Sequence, residues 1–479
     1  MKYLFLFTIT PVQSFIAQAR KIQDLFAGSQ LLSEMIDFAI EQTKIKTAHF
    51  ELIFPHINTE TKPNRFLALI DGENISKIGQ EIQQFVEDKY LTIAEDIIKD
   101  ADFIEKYKYQ LSNHLKIFWI ANEFVDNKSY LMQYQQIENL LGGIKNLRTF
   151  EQYPEKGRKC SLCGENNALV FSNSYKLPKI WQREIKLINN INLNSGEGLC
   201  LVCATKRFYR NENNKKISVP STAAIASYNI IEELEKNGMW HPSNFKALFD
   251  KNFDEQLYYD ENLNSMYFEK NGFNEYIDNL PNILENYKKV FSEKKPSSYY
   301  AIVLFDADNM GEKLTNEKNC SKEYHQKLST LLKDYANWAK GYLQKPFGYT
   351  IYTGGDDFLG FVNLSYLFIV LKELRIKFDE LINENLSEYN LNLTFSSGIV
   401  IAHYKHPLAD VLQWARQSEK KAKNEQINKD CFCISVLKHS GEVVQAVYPN
   451  KIDEYFSIDY LKITYNCFLF RTKLSSYKN

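Results

Sequence analysis

Residues 349–360 read YTIYTGGDDFLG, two apolar β-type runs joined by a turn that ends in adjacent carboxylates. Gly354 and Gly355 allow a tight hairpin with positive φ, which residues bearing side chains resist. Asp356 and Asp357 then project from the hairpin. Earlier, residues 301–308 read AIVLFDAD, an apolar strand ending in Asp306-Ala-Asp308. Two strands that deliver carboxylates to one place make a site for hard divalent cations. Mg²⁺ is usually held by one or two carboxylates plus phosphate oxygens. Two such ions can clamp the attacking and leaving oxygens of a phosphoryl transfer. The pattern points to an enzyme that polymerises or cyclises nucleotides. Taken alone, Gly-Gly-Asp-Asp reads equally well as a surface turn. The Asp-x-Asp at a strand end nearby favours metal binding at Asp306, Asp356 and Asp357. Asp308 stands either near a second ion or as a cap on the following turn.

Positioning these carboxylates takes a sheet. The periodicity predicts strands at 299–305, 393–403 and 431–437, and helices at 322–344, 364–381 and 408–424, around the hairpin. Two β-α-β halves in this order describe a ferredoxin-like palm. Its central strand and hairpin are antiparallel neighbours, so their ends meet. Gly311, directly after Asp-x-Asp, lets backbone amides approach phosphate or simply turns the strand into a helix. On helix 408–424, Arg416, Lys420 and Lys423 are spaced as a cationic stripe. That stripe either neutralises a triphosphate or is an ordinary solvated face.

Cys160-Ser-Leu-Cys163-Gly164 and Cys200-Leu-Val-Cys203 form two C-x-x-C pairs. Four thiolates with no open position describe structural Zn²⁺. A redox disulfide or unrelated buried thiols are the alternatives. A zinc site can give about 10–16 kcal/mol of apparent binding free energy to folding, enough to hold a module with little core. Arg158, Lys159, Lys206, Arg207 and Arg210 surround the quartet, as a basic patch or as solubilising charge. Cys320, Cys431, Cys433 and Cys467 read as core or surface thiols.

The chain has 479 residues and a formal net charge of −1. That length calls for several domains, and the charge leaves nucleic-acid contact to a local patch. No run is long enough to span a bilayer. Cysteine usage fits a reducing cytoplasm. The expected division is 1–155, a palm-like domain; 156–215, the zinc module; 216–298, a mostly helical connector; 299–445, the acidic palm; and 446–479, a short segment without clear pattern. In the first of these, strands are expected at residues 3–10, 66–70 and 115–121, with a helix near 77–98. A helix after Pro11 is expected to break at Gly28-Ser29 and resume over 31–40. The fold class is α+β: two ferredoxin-like palms with a zinc module and a helical domain between them. None of the eight histidines precedes Asp, and no Walker A loop or dinucleotide fingerprint is present.

These motifs together resemble the large, polymerase-like subunit of type III CRISPR effector complexes, in its Cmr-type (III-B) branch. The likeness rests on Thr10-Pro-Val-Gln-Ser-Phe-Ile16, Ala19-Arg-Lys21, Ala27-Gly-Ser-Gln-Leu-Leu-Ser33, the two cysteine pairs and Val219-Pro-Ser-Thr-Ala-Ala-Ile-Ala226. It continues through Asp306-Ala-Asp-Asn-Met-Gly311, Gly354-Gly-Asp-Asp357 and Ser396-Ser-Gly398 with the helix after it. It covers nearly the whole chain up to residue 445.

The resemblance implies two palms with ATP between them. It implies that ATP is joined into cyclic oligoadenylates when the complex's guide RNA pairs with target RNA. Asp306, Asp356 and Asp357 would hold two Mg²⁺ or Mn²⁺ ions, Gly354 and Gly355 would admit phosphate, and Lys423 would contact it. The implied partners are the other Cmr-type subunits, guide RNA and target RNA, with no membrane. Some relatives instead attach AMP to S-adenosylmethionine, and the same carboxylates would serve; a non-catalytic scaffold is the remaining alternative. Many relatives begin with an HD nuclease domain, whereas here the first palm starts at Met1, so no intrinsic DNase is expected. The family's C-terminal helical domain is not matched by 446–479, which leaves assembly into the complex open.

Overall fold

The computed structural model describes residues 1–147, 155, 157–172, 185–188, 193, 196–209, 219–237, 242–292, 294–354, 356–425, 429–438 and 440–450. Gly355, Arg210, Cys467 and residues 451–479 lie outside the described residues. By contact the chain divides into two compact units. The first gathers described residues of 1–219 with 309–337 and 351–356; the second gathers 220–308, 338–350 and the described residues from 357 onward.

The first unit opens with β1 (Lys2–Thr10), whose Leu4 to Phe7 and Ile9 are buried on both faces of a sheet. Two helices follow, α1 (Gln13–Ala17) and α2 (Ile22–Lys46), then β2 (Phe50–Phe54), β3 (Arg65–Asp71) and α3 (Ile75–Ile98). Short helices α4 (Ala101–Tyr107) and α5 (Tyr109–His114) lead into β4 (Lys116–Glu123) and α6 (Tyr130–Lys145). The sheet order is β2-β3-β1-β4, and β1 runs antiparallel to both β3 and β4. This is the ferredoxin-like order expected from the sequence. One strand, β2, was not expected. Its five residues are mostly half-buried on a sheet edge, too short to give an alternating signal.

A second correction concerns α2, which runs unbroken through Gly28-Ser29. The interruption falls at residues 18–21 instead. Gly28 serves close approach here, since a Cβ on it would lie 3.0 Å from Lys206 Cδ. That lysine belongs to α7 (Leu201–Phe208), which follows a small sheet of β5 (Val170–Ser172), β6 (Lys186–Ile188) and β7 (Gly198–Leu199) in the order β6-β5-β7.

The second unit begins with helices α8 (Thr222–Asn237), α9 (Pro242–Ala247), α10 (Ser265–Asn271) and α11 (Leu280–Val290). Their interior is aromatic: Phe245, Phe249 and Tyr258 are fully buried around one another. The chain continues through β8 (Tyr299–Ala307), α12 (Met310–Leu314), α13 (Lys322–Tyr342), β9 (Gly348–Gly354), β10 (Asp357–Asn363) and α14 (Leu367–Phe378). It ends with β11 (Phe395–His403), α15 (Leu408–Glu425), β12 (Cys431–Leu437) and β13 (Val443–Pro449). The sheet order is β13-β12-β11-β8-β10-β9. Its β11-β8-β10-β9 part repeats the ferredoxin-like order, and β12 joins β11 in parallel after α15. Strand β13 was not expected; it pairs antiparallel with β12 from Val443 to Pro449, across the boundary placed at 445. All its residues are half-exposed, so it has no buried face to betray it. Among the described residues, no helix is long and apolar enough to cross a membrane.

Candidate functional site

The register of the second unit's sheet puts Asp357, the first residue of β10, directly opposite Asp306 on β8. Ser396 on β11 is the partner of Asp306 on its other side. Residues directly opposite across antiparallel strands share a face, so the row Asp357–Asp306–Ser396 points one way. Two like charges so placed are destabilising unless a cation stands between or beside them. Here Lys423 Nζ donates to Asp306 Oδ2 and, at 2.7 Å, is paired with Glu419 Oε1. Burial works against the charge of Lys423, but its bonds to Asp306 and Glu419 outweigh burial and raise its pKa.

Lys423 reaches Asp306 because α15 lies close on the sheet. Gly398 on β11 makes room: a Cβ there would stand 2.1 Å from Ala415 O and 2.5 Å from Glu419 N. Ser418 and Ser435 add a 2.6 Å hydroxyl contact between α15 and β12. Neither Glu419 nor the spacing role of Gly398 was read from the sequence. A glycine followed by a helix is the only signal, and many strands carry one.

The other expected residues are distributed as follows. Asp308 is buried, and its Oδ2 accepts from Thr394 Oγ1 at 2.8 Å and from the Asp430 amide at 3.1 Å. Gly354 ends β9, and Gly311 lies within α12, where an added Cβ would meet nothing within 4 Å. Asp356 counts with the first unit, one residue before the facing pair. It lines a cavity of about 270 Å³ in that unit with Arg65, Glu138, His325, Ser329 and apolar residues including Leu67, Leu328 and Leu332. Arg65 Nη1 donates to both oxygens of Glu138 at 3.1 and 3.2 Å. His325 is bonded through Nδ1 to Tyr130 Oη and through Nε2 to Leu314 O, each at 2.9 Å. Burial pushes its pKa below the ordinary imidazole range. The Ser329 hydroxyl is buried without a hydrogen-bond partner. Apolar walls with a few convergent polar groups are the usual make-up of a small-ligand site. Segments far apart in sequence build these walls, so no local motif announced them.

The four cysteines come together as expected. Cys160, Cys163, Cys200 and Cys203 offer sulfurs that all lie within 4.8 Å of one another, with Cys163 and Cys200 at 3.7 Å. Tetrahedral Zn²⁺ with Zn–S bonds of about 2.3 Å needs sulfurs roughly 3.8 Å apart, so the residues fit that ion. The four thiols titrate together: hydrogen bonds from the other three pull Cys160 down, while bonds to Cys160 and Cys163 push Cys200 and Cys203 up. Gly164 takes φ +70°, and its amide donates to Cys160 O at 3.0 Å, closing the first knuckle. Among the described residues, this quartet is the group of three or more ligand side chains gathered so tightly. The acidic set is represented by the facing pair, Asp306 and Asp357.

The expected basic fringe needs correction. Arg158 and Lys159 are exposed, but Lys206 and Arg207 are fully buried. Lys206 Nζ donates to Phe15 O and Gln18 O, both at 2.6 Å, at the end of α1. Arg207 binds both carboxylate oxygens of Asp24, which itself accepts from the Arg20 and Lys21 amides at the start of α2. Their charges anchor the four-cysteine module to the α1–α2 turn and offer nothing to a surface patch.

Comparison with known proteins gives two family matches: residues 299–433 match the model "Cas10/Cmr2, second palm domain", and residues 4–116 match "CRISPR-associated protein Cmr2, N-terminal". The CRISPR system Cmr subunit Cmr2 of Pyrococcus furiosus is 25% identical, in an alignment covering 90% of this chain and 61% of that protein. The chain thus spans about three fifths of the length of that curated relative. Among solved structures, a type III-B Cmr-beta complex bound to cognate target RNA contains a similar chain. The TM-score is 0.66 at 14% identity, covering 94% of this chain and 71% of that one. The apo state of Cmr-beta gives a TM-score of 0.58 at 15% identity, with 94% and 69% covered. These structural likenesses concern the fold.

Proposed function

Because the chain belongs to the Cas10/Cmr2 family of CRISPR effector subunits, we propose that it joins ATP into cyclic oligoadenylates. The trigger is target RNA pairing with the guide RNA of a Cmr-type complex. The observation that carries this reading is the register pair Asp306–Asp357 with Lys423 against it. Asp306, Asp357 and the neighbouring Asp356 would hold Mg²⁺ or Mn²⁺. Bound there, the ions would acidify an attacking ribose hydroxyl and neutralise the departing pyrophosphate.

The chain's own residues do the rest. Lys423 brings a fixed positive charge to the carboxylates, where triphosphate charge must be balanced. Gly398 keeps α15 close enough for that. In the first unit, the cavity lined by Asp356 combines apolar walls with the unpartnered Ser329 hydroxyl, the make-up of a small-ligand site. Arg65 supplies a guanidinium in the same cavity. Assembly with the other subunits, guide RNA and target RNA is part of the proposal.

The test is a mass-spectrometric product assay on the assembled complex with ATP, divalent cation and target RNA. The proposal expects cyclic oligoadenylate from the wild type and none from D357N. An adduct of AMP with S-adenosylmethionine, formed in place of the cyclic product when both substrates are supplied, would replace this reading.

A further inference from the structure

Asp308 stands two residues beyond Asp306 yet turns away from solvent, with 2% of its surface exposed. Its backbone amide donates to Thr394 O at 2.8 Å, and Thr394 Oγ1 returns a 2.8 Å bond to its carboxylate. The same carboxylate oxygen accepts from the Asp430 amide at 3.1 Å. Asp430 directly precedes β12, five residues beyond the end of α15, the helix that carries Lys423.

The backbone at that point is strained. Lys429 and Asp430 take φ of 54° and 51°, two successive side-chain-bearing residues in the left-handed region. Such conformations persist only where the surroundings over-determine them. Three more contacts do so. Asn450 N donates to Asp430 O at 2.8 Å, Asn450 Nδ2 to Asp430 Oδ1 at 3.2 Å, and Arg375 Nη2 lies 3.5 Å from Asp430 Oδ2. Asp308 is the member of this set that follows directly on the strand bearing Asp306.

We propose that Asp308 is a positioning residue that ties the exit of α15 to the Asp306 strand and so holds Lys423 in register with the acidic pair. This rests on the nucleotidyl-transfer reading above. It assigns Asp308 to bonds with Thr394 and the Asp430 amide, where the sequence left it either near a second ion or as a cap on the following turn. Asn at this position keeps an acceptor for both bonds; Ala keeps none.

The experiment compares D308A, D308N and K423M, and D308A combined with K423M, in the full chain assembled with its complex. Two readouts are taken: kcat and KM for ATP, and amide exchange in peptides covering 415–425 and 429–437. D308A is expected to lower kcat by roughly 100-fold, the scale of a displaced reacting group, with KM little changed. D308N should retain most of the wild-type kcat. In the K423M background D308A should cause little further loss, because the two act through one arrangement. Exchange should rise in both peptides for D308A and stay at the wild-type level for D308N.

The proposal is overturned if D308N is as inactive as D308A and needs more divalent cation, which would make Asp308 a ligand. Equal losses from D308A with and without Lys423 would also overturn it. If the wild-type complex makes no product, the nucleotidyl-transfer reading fails on its own. The exchange data then still decide whether Asp308 holds the turn: unchanged exchange in D308A would refute it.

Discussion

Two aspartates facing each other across neighbouring strands repel, and the fold answers with Lys423. Its pKa is raised because bonds to Asp306 and Glu419 overcome the cost of burial. A raised folded pKa gives stability that is complete below the unfolded value, about 10.4 for lysine, and is lost as pH climbs through the folded one. K423M should therefore lower the melting temperature by the same amount at pH 7 and pH 9. The gap between variant and wild type should close only above about pH 10.4. A gap that already fades between pH 7 and 9 would mean that Lys423 is not the counter-ion. The acidic residues were legible in the sequence because their spacing at strand ends is local. Their counter-ion's second partner, Glu419, was not, because it depends on how close a helix lies to a sheet.

Helix placement can be tested through two glycines that look alike in sequence. At Gly398 the atoms in the way are backbone, at 2.1 and 2.5 Å, so neither can yield without moving α15. G398A should cost about 1–3 kcal/mol, as overpacking does, and should reduce nucleotide turnover along with stability. At Gly28 the nearest atom is a side-chain carbon, Cδ of the buried Lys206, at 3.0 Å. There the gain of about 1 kcal/mol in helix propensity should offset the crowding, leaving G28A near neutral in chemical denaturation. Reversed effects would show that the close approach at Gly398 is not what sets α15. The α7 helix makes a further prediction. R207M leaves the buried Asp24 and Glu197 without their shared cation and should destabilise by about 3–5 kcal/mol. Zinc should be found at one ion per chain by elemental analysis. Stripping it should raise amide exchange along α7 and the first turn of α2, since Cys203, Lys206 and Arg207 share one short helix capped by Cys200. Unchanged exchange after zinc loss would show that the anchor holds without the metal. The sequence showed the four cysteines plainly. It could not show that the adjacent cations point inward, because a Lys-Arg pair reads as surface until its partners Phe15, Gln18 and Asp24 are located.

Across the whole chain the same strand order occurs twice, as β2-β3-β1-β4 and as β9-β10-β8-β11. Alternating and continuous apolar runs made most of these strands readable. The half-exposed strands β2 and β13 escaped because they bury little. The first unit's cavity escaped for a different reason: Arg65, Ser329, His325 and Asp356 come from segments that meet only in three dimensions. We propose Asp306 and Asp357 as the carboxylates of a nucleotidyl-transfer centre. The most direct test is pyrophosphate release and product mass from the assembled complex given ATP, Mn²⁺ or Mg²⁺ and target RNA, for wild type, D306N and D357N. RNA-dependent oligoadenylate is expected from the wild type, and loss of both product and pyrophosphate from each variant, with the fold intact by circular dichroism. Undiminished product from either variant would overturn the assignment of these two carboxylates.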